Sequence, residues 1–208
     1  MSLTFHEQPP YAATVGDAIA SVGTFGTPGE MVSLAFAVHT TEPIGEIAFE
    51  AGALTGPSGS IDVGATDVFV VKVWEQAGVG VYQSKPVRVP ELLVKDDRRA
   101  LRDGYRRWCG HWRHLHRRSS YYVPPAVRSV GPACTSLEAG VTKQVWLSVR
   151  IPADAAPGRY TGVIAASSHG HLAIELEVLP FALAEPAQDL MMWYKATLDC
   201  RLSQHWVT

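Results

Sequence analysis

The sequence predicts an all-β fold, an antiparallel β-sandwich with one Arg/Trp-rich insertion whose apolar spacing also suits a helix. Two observations lead to this prediction. Short runs in which apolar and polar residues alternate recur along the chain, and this alternation is the period of a half-buried strand. Turn-forming residues separate the runs, since the 208 residues include 18 Gly and 14 Pro.

The first half of the chain contains three strand patterns. Leu34 and Phe36 alternate with small residues, and Ile47 and Phe49 alternate with alanine and glutamate. Residues 68–74 (VFVVKVW) begin apolar on both faces. A strand covered on both sides has this composition, so a central strand is predicted there.

The strand pattern is clearer in the second half of the chain. Residues 144–167 read QVWLSVRIPADAAPGRYTGVIAAS, two apolar-alternating runs around a turn-forming block. Pro152 cannot donate to a sheet ladder and closes its strand, while Pro157 and Gly158 favour a turn. Gly170 suits a tight hairpin turn before the last strand. The residues predicted to face the core are Val145, Leu147, Val149, Leu172, Ile174, Leu176 and Val178.

Composition places the chain among ordinary globular proteins. It is 47% hydrophobic and 18% charged, with a net charge of −2, so it can bury a full core. No signal peptide is visible in MSLTFHEQPP, which makes a cytoplasmic location the default expectation. The apolar stretch 178–184 is too short to span a membrane. Cys109, Cys134 and Cys200 form no CxxC pair, so reduced thiols are expected.

The predicted domain organisation is a sandwich over residues 1–187, with an insertion at about 96–118. A Leu-Pro-Phe-Ala-Leu-Ala-Glu-Pro exit precedes a tail, 188–208, which is interpreted as the start of a following barrel domain or as a simple tail. Exposure of the apolar tail residues Met191, Met192, Trp193 and Trp206 would favour self-association.

The order of these segments resembles a known family. GEMVSLAFAVHT, VKVWEQ, VPELLVKDD, KQVWLSVRIPADAAPGRYTGVI and LEVLPFALAEP follow one another as in the N-terminal β-sandwich of glycoside hydrolase family 123 and its uncharacterised relatives. The resemblance covers roughly residues 15–97 and 128–187. Its most specific part is 144–162 together with the Leu-Pro-Phe exit.

The resemblance implies that catalysis belongs to a (β/α) barrel that follows the sandwich. In that barrel an adjacent Asp-Glu pair assists a substrate acetamido group in cleaving N-acetylhexosaminides. These 208 residues contain no Asp-Glu dipeptide, so no catalytic residue of the family can be assigned here. The resemblance therefore implies an accessory domain whose partner is a barrel.

The Arg-rich stretch 98–118 has no counterpart in that resemblance. It holds eight arginines against one aspartate, a local charge of +7 that leaves −9 for the rest of the chain. Its apolar residues recur at helical spacing, although two glycines would weaken a helix. It is interpreted mainly as an insertion packed on the sandwich or barrel with its arginines paired, and alternatively as a disordered loop or a site for an anionic partner. The candidate ligand or partner residues are Trp108, Trp112, Tyr121, Tyr122, Arg106 and Arg113.

Other chemistry-bearing residues predict no site. Cys109, His111, His114 and His116 are zinc-type ligands without the spacing of any common zinc site. The acidic residues Glu91, Asp96 and Asp97 are expected in a surface loop, solvated or paired, rather than as a carboxylate pair for glycoside hydrolysis. We therefore expect no catalytic residue, no metal and no cofactor. The aromatic residues expected on strands, in the core or on a sheet face, are Trp74, Trp146, Tyr160 and Phe181.

The function predicted from the sequence is that of a non-catalytic accessory or scaffold domain packed against a glycosidase barrel. Two alternatives stay open: a stand-alone carbohydrate-binding module, and a partner-binding module that uses the basic segment 98–118. Nucleic acid is an unfavoured partner, since domains that bind it are usually basic overall. An unusually apolar surface should mark the docking site of the barrel.

Overall fold

The structure is a computed structural model and describes residues 3–7, 15–77, 86–99 and 131–184. The described residues form twelve strands and two short 3-10 turns, which confirms the predicted all-β fold. The strands are β1 (Leu3–His6), β2 (Ser21–Gly26), β3 (Met31–Thr40), β4 (Ile44–Ala51), β5 (Leu54–Gly56), β6 (Gly59–Ile61), β7 (Thr66–Ala77), β8 (Pro86–Val94), β9 (Ala133–Leu137), β10 (Thr142–Arg150), β11 (Gly158–Ala166) and β12 (His171–Val178). The turns are Val63–Ala65 and Asp97–Arg99.

The strands form two sheets that pack together as a sandwich. One sheet has five strands in the order β1-β3-β10-β7-β8, so β7, predicted as a central strand, has neighbours on both sides. The other follows the path β2-β12-β11-β4-β9, with the β5–β6 hairpin joined to β11. Every described strand pair is antiparallel except β2 with β12. Because β2 leads into β3 of the other sheet, no hairpin fixes its direction relative to β12.

The core lies between the two sheets and contains the whole predicted inward set. Each of its seven residues is at most 1% exposed, which confirms the alternation seen in the second half of the sequence. The first half contributes Phe36 from one sheet and Phe49 from the other. Their rings meet edge-on with centroids 6.4 Å apart, a favoured aromatic geometry that joins the sheets.

The Pro-Ala-Asp-Ala-Ala-Pro-Gly block carries the chain from one sheet to the other. β10 ends at Arg150 in the five-stranded sheet, and β11 begins at Gly158 in the seven-stranded sheet. Gly158 has a φ of 138°, which residues with a side chain rarely adopt. The buried Tyr160 then donates its hydroxyl hydrogen to the Ala156 carbonyl at 2.9 Å. This contact resembles the tyrosine corner of Greek-key sandwiches and stabilises the crossing.

Three expectations from the sequence are wrong in position. Glu91 lies within β8 rather than in a loop, because a β-bulge places it as the extra residue between Pro90 and Leu92 and lets the strand continue past the proline. Asp97 is paired, as one alternative had it, but it is only 5% exposed and so does not lie at the surface. Phe181 lies beyond β12 and is 55% exposed, since the chain leaves the sheet before it.

Several connections between strands meet at one end of the sandwich. β2, β10 and β12 end there, and β3 and β7 begin there. The Leu179 N–H donates to the Gly26 carbonyl at 2.9 Å, and residues 180–184 then leave the sheet beside β2. We call this the exit end.

Candidate functional site

A cleft of about 540 Å³ opens at the exit end. Its walls come from the Val63–Ala65 turn, the first residues of β3 and β7, and the last residues of β4 and β10. Loops and strand ends on a rigid scaffold are where binding residues usually lie. The polar side chains in the lining are Glu50, Thr66, Asp67, Lys95, Ser148 and Arg150.

Lys95 is the buried cation of this cleft. It is 7% exposed, and its ammonium donates to the Asp67 carboxylate and, at 2.6 Å, to the Val68 carbonyl. The same ammonium lies 4.4 Å from the centroid of the Phe69 ring. A buried charge is tolerated only when it is paired in this way, so Lys95 ties the end of β8 to the start of β7. No motif in the sequence singles out Lys95 as a site residue. Its place beside Phe69 follows only from the pairing of Val94 with Val70 in the neighbouring strand.

Asp97 joins the two sheets a short distance along the chain. One carboxylate oxygen accepts from Lys143 Nζ of β10 and the other from Thr135 Oγ1 of β9, both at 2.6 Å. Lys143 also reaches Thr135 Oγ1 at 2.7 Å, and Lys72 Nζ donates to the Asp97 carbonyl at 3.1 Å. We call these four residues the Asp97 clasp. The acidic residue expected in a surface loop, solvated or paired, is therefore paired and forms a buried contact between the sheets.

Arg98 is the first arginine of the basic segment and is fully paired. Its Nε and Nη2 each donate to Asp96 at 2.9 Å, and Nη1 donates to Glu46 at 2.7 Å. Hydrogen bonds to Asp96 and then to Glu46 raise the pKa of the Arg98 guanidinium, which stays charged. This pairing is the one expected between the basic segment and its acidic surroundings. The side chains of the other seven arginines lie outside the described part of the chain.

Cys134 lies next to the residues that lead into the basic segment. Its N–H donates to the Lys95 carbonyl at 2.6 Å, and its thiol lies 3.6 Å from the Pro132 carbonyl. Burial raises the pKa of the Cys134 thiol. Because the thiolate is the nucleophile, a raised pKa lowers its reactivity near neutral pH.

We expect iodoacetamide to alkylate Cys134 about tenfold more slowly than a small free thiol at pH 8, with the rate rising as the pH is raised. The measurement uses a Cys109→Ser/Cys200→Ser variant, so that a single thiol is counted by mass spectrometry. Unfolding in guanidinium serves as the control and should bring the rate to that of the free thiol. Equal rates for the folded and unfolded protein would contradict the expectation.

The predicted ligand or partner residues cannot be placed on the cleft. Trp108, Trp112, Tyr121, Tyr122, Arg106 and Arg113 all lie outside the described residues, as do the Cys109 to His116 cluster and the tail 188–208. The described chain resumes at Gly131, which itself lines the cleft. Lys95, four residues before the described chain breaks off at Arg99, and Gly131, where it resumes, therefore both line this opening.

Few polar groups in the described lining of the cleft remain without a partner in the protein. Within the described ranges, no three His, Cys, Asp or Glu side chains come together to hold a metal ion. Asp67 is neutralised by Lys95, and the Ser148 hydroxyl already accepts from the Trp146 indole N–H at 3.2 Å, which leaves the charges of Glu50 and Arg150 for a polar ligand. The exposed aromatic residues of the described part, Phe25 and Phe181, do not line the cleft. A search of the same ranges finds no helix long and apolar enough to cross a lipid bilayer.

Comparison with known proteins identifies the fold. No family model and no curated protein sequence matches the chain. Among solved structures, a family 123 glycoside hydrolase from Clostridium perfringens is similar, with a TM-score of 0.51 and 13% identity over 79% of this chain. A membrane-anchored protein from Corynebacterium diphtheriae matches over 92% of this chain and 38% of its own with 15% identity, but its TM-score of 0.30 carries no argument.

The match to the hydrolase is one of fold. The chain spans about a quarter of the length of that hydrolase, 24% of it. At this identity the likeness shows the fold alone, a sandwich like the one in that hydrolase. The match supports the β-sandwich fold that the order of the sequence segments led us to expect.

Proposed function

We propose that the chain is a non-catalytic accessory domain of a glycoside hydrolase-like protein and packs against a (β/α) barrel that cleaves N-acetylhexosaminides. The observation that carries the proposal is the shared fold with a family 123 hydrolase whose length is about four times the matched part. A domain of this kind stabilises its partner and shapes one side of the active-site opening without supplying the reacting groups.

The exit end favours a neighbouring domain. Met31 and Val63 on the cleft rim are 55% and 54% exposed, and Phe181 and Leu183 on the departing chain are 55% and 64% exposed. Exposed apolar side chains grouped in this way are typical of interaction surfaces. A domain that follows the departing chain would reach this end first, because the tether holds it at a high local concentration.

The ion pairs of the described residues support the non-catalytic part of the proposal. Lys95 with Asp67, and Asp97 with Lys143, connect strands to one another. Their geometry accounts for these charges as parts of the scaffold. Catalytic carboxyl groups in glycosidases instead face the substrate on either side of the scissile bond.

The test combines an assay of hydrolysis with a glycan-array screen on the 208-residue chain. We expect no hydrolysis of 4-nitrophenyl N-acetyl-β-galactosaminide and no glycan binding. We also expect binding of the dye bis-ANS that falls severalfold in a Met31→Ser/Phe181→Ser variant. The matched control is Val141→Ser, an exposed valine away from the exit end.

The opposite outcomes separate the rival functions. Hydrolysis by the chain would overturn the proposal. Glycan binding that disappears in a Trp108→Ala/Trp112→Ala variant would identify a carbohydrate-binding module. Binding to an anionic resin that is lost in Arg106→Ala/Arg113→Ala, with no glycan binding, would favour the partner-binding alternative.

A further inference from the structure

We propose that β2 is an interaction edge and pairs antiparallel with β2 of a second copy of this chain. Sheets end in strands whose outer N–H and C=O groups can pair with another chain, and proteins usually cover or blunt such edges. The outermost strands of the described sheets are four longer ones, β1, β2, β8 and β9, and the three-residue β6, which pairs only with β5. β6 is too short to offer much of an edge, and of the four longer strands the described residues protect three and leave β2 open.

The protection of the other three edges is visible in the structure. The Ile19 N–H donates to the Phe5 carbonyl at 2.8 Å, which covers β1. The Cys134 N–H donates to the Lys95 carbonyl at 2.6 Å, which covers β9. β8 contains two prolines, Pro86 and Pro90, which lack the N–H that pairing needs.

Within the described ranges, nothing covers the outer side of β2. The Ala173 N–H donates to the Ala20 carbonyl and the Leu179 N–H to the Gly26 carbonyl, so the even-numbered residues of this strand face β12. Because backbone groups alternate along a strand, the N–H and C=O groups of Ser21, Gly23 and Phe25 point outward. Among the described residues, no hydrogen bond is made to these outward groups.

The spacing of these groups suits a two-fold pair. With Gly23 opposite Gly23 of the second copy, Ser21 stands opposite Phe25 and the outward groups of all three residues are matched. Each matched pair exchanges two hydrogen bonds, which is the narrow pairing of antiparallel strands. Both copies use the same surface, as a two-fold interface requires.

The side chains are compatible with this register. Phe25 is 67% exposed and would lie diagonally over Gly23 of the second copy, an arrangement in which an aromatic ring covers a glycine on the neighbouring strand. Charge also agrees, since Ser21–Gly26 (SVGTFG) contains no charged residue and two copies bring no like charges into opposition.

The size of the contact sets its strength. A six-residue strand pair is about 20 Å long, so the buried area falls below that of a stable dimer. We therefore expect a weak, reversible dimer, mostly monomer at about 5 μM protein and substantially dimeric at about 500 μM. Analytical ultracentrifugation should show the average mass rising from 22.6 kDa towards twice that value.

The decisive test is a charge swap at Gly23. A Cβ there would meet the Glu175 carbonyl oxygen and Cβ only at 3.4 and 3.7 Å, so a side chain fits. Gly23→Lys and Gly23→Glu should each remain monomeric, because the new charge faces its own copy across the axis. An equimolar mixture of the two should recover the dimer as a mixed pair. Gly45→Lys is the matched control, since the same charge on an exposed strand position with open space around it should leave dimerisation unchanged.

Hydrogen exchange of the unmodified chain provides a readout that needs no variant. The Gly23 and Phe25 amides should become protected as concentration rises, whereas the Thr24 amide, which faces β12, should not change. A wild-type chain that stays monomeric at 500 μM, or single variants that dimerise as the wild type does, would overturn the proposal. A mixture that fails to recover the dimer would overturn it as well.

Discussion

Replacing Asp97 by Asn lowers the free energy of unfolding by about 3–4 kcal/mol, the loss expected when one partner of a buried ion pair is removed. Asn keeps the size of Asp97 but leaves the Lys143 ammonium, whose side chain is 22% exposed, without a counter-charge. The same change weakens the bond from Thr135 and so loosens one sheet against the other. Urea unfolding followed by circular dichroism measures the loss, and the Tm should fall by about 10 °C.

The control for this substitution is Asp154→Asn. Asp154 is exposed in the turn that follows β10, so its loss should change the unfolding free energy by less than about 0.5 kcal/mol. A double change, Asp97→Leu with Lys143→Met, should regain part of the stability because it removes both charges together. If Asp97→Asn were no more destabilising than Asp154→Asn, the Asp97 clasp would not join the sheets.

The second large effect is expected at Gly56, where an added methyl group has no room. A Cβ on Gly56 would lie 2.6 Å from Cζ of Tyr160, a ring that is only 3% exposed and fixed by its hydroxyl contact with Ala156. Gly56→Ala should therefore cost about 2–3 kcal/mol through overpacking, measured again by urea unfolding. The ring would have to move, and the crossing between sheets would move with it.

Two comparisons separate this clash from a general cost of alanine. Gly45→Ala adds the same methyl group to a strand where nothing lies within 4 Å, and should be nearly neutral. The Gly56→Ala change should also cost little in a Tyr160→Ala background, where the ring is absent. A full loss in that background would show that the clash with Tyr160 is not the cause.

The strands and the core could be predicted because local alternation reports which side of a strand is buried. Leu147 and Ile174 illustrate this, since each is fully buried and each lies in a run whose period is unambiguous. The way the sheets are joined could not be predicted. The same Pro-rich block would suit a hairpin or a crossing, and only the pairing of β10 with β3 and β7 decides between them.

The polar contacts were beyond prediction for a related reason. Asp96 and Asp97 are adjacent and chemically identical, yet one faces Arg98 near the surface and the other is buried against Lys143. The partners of Asp97 lie about 40 residues or more away along the chain. The direction of each side chain also depends on the geometry of the turn, which no short motif predicts. The candidate residues of the basic segment, Trp108 among them, remain predictions.

The position of β12 also governs how the protein is made. This strand is the last of the twelve, yet it sits inside its sheet, between β2 and β11. During synthesis β2 therefore cannot pair with β12 until about 150 further residues have emerged from the ribosome, which takes roughly 8–30 s at ordinary rates of synthesis. Throughout that interval an uncharged strand stands unpaired on a nascent chain. Because the last of the described strands completes this sheet, the topology leaves β2 accessible to chaperones during translation.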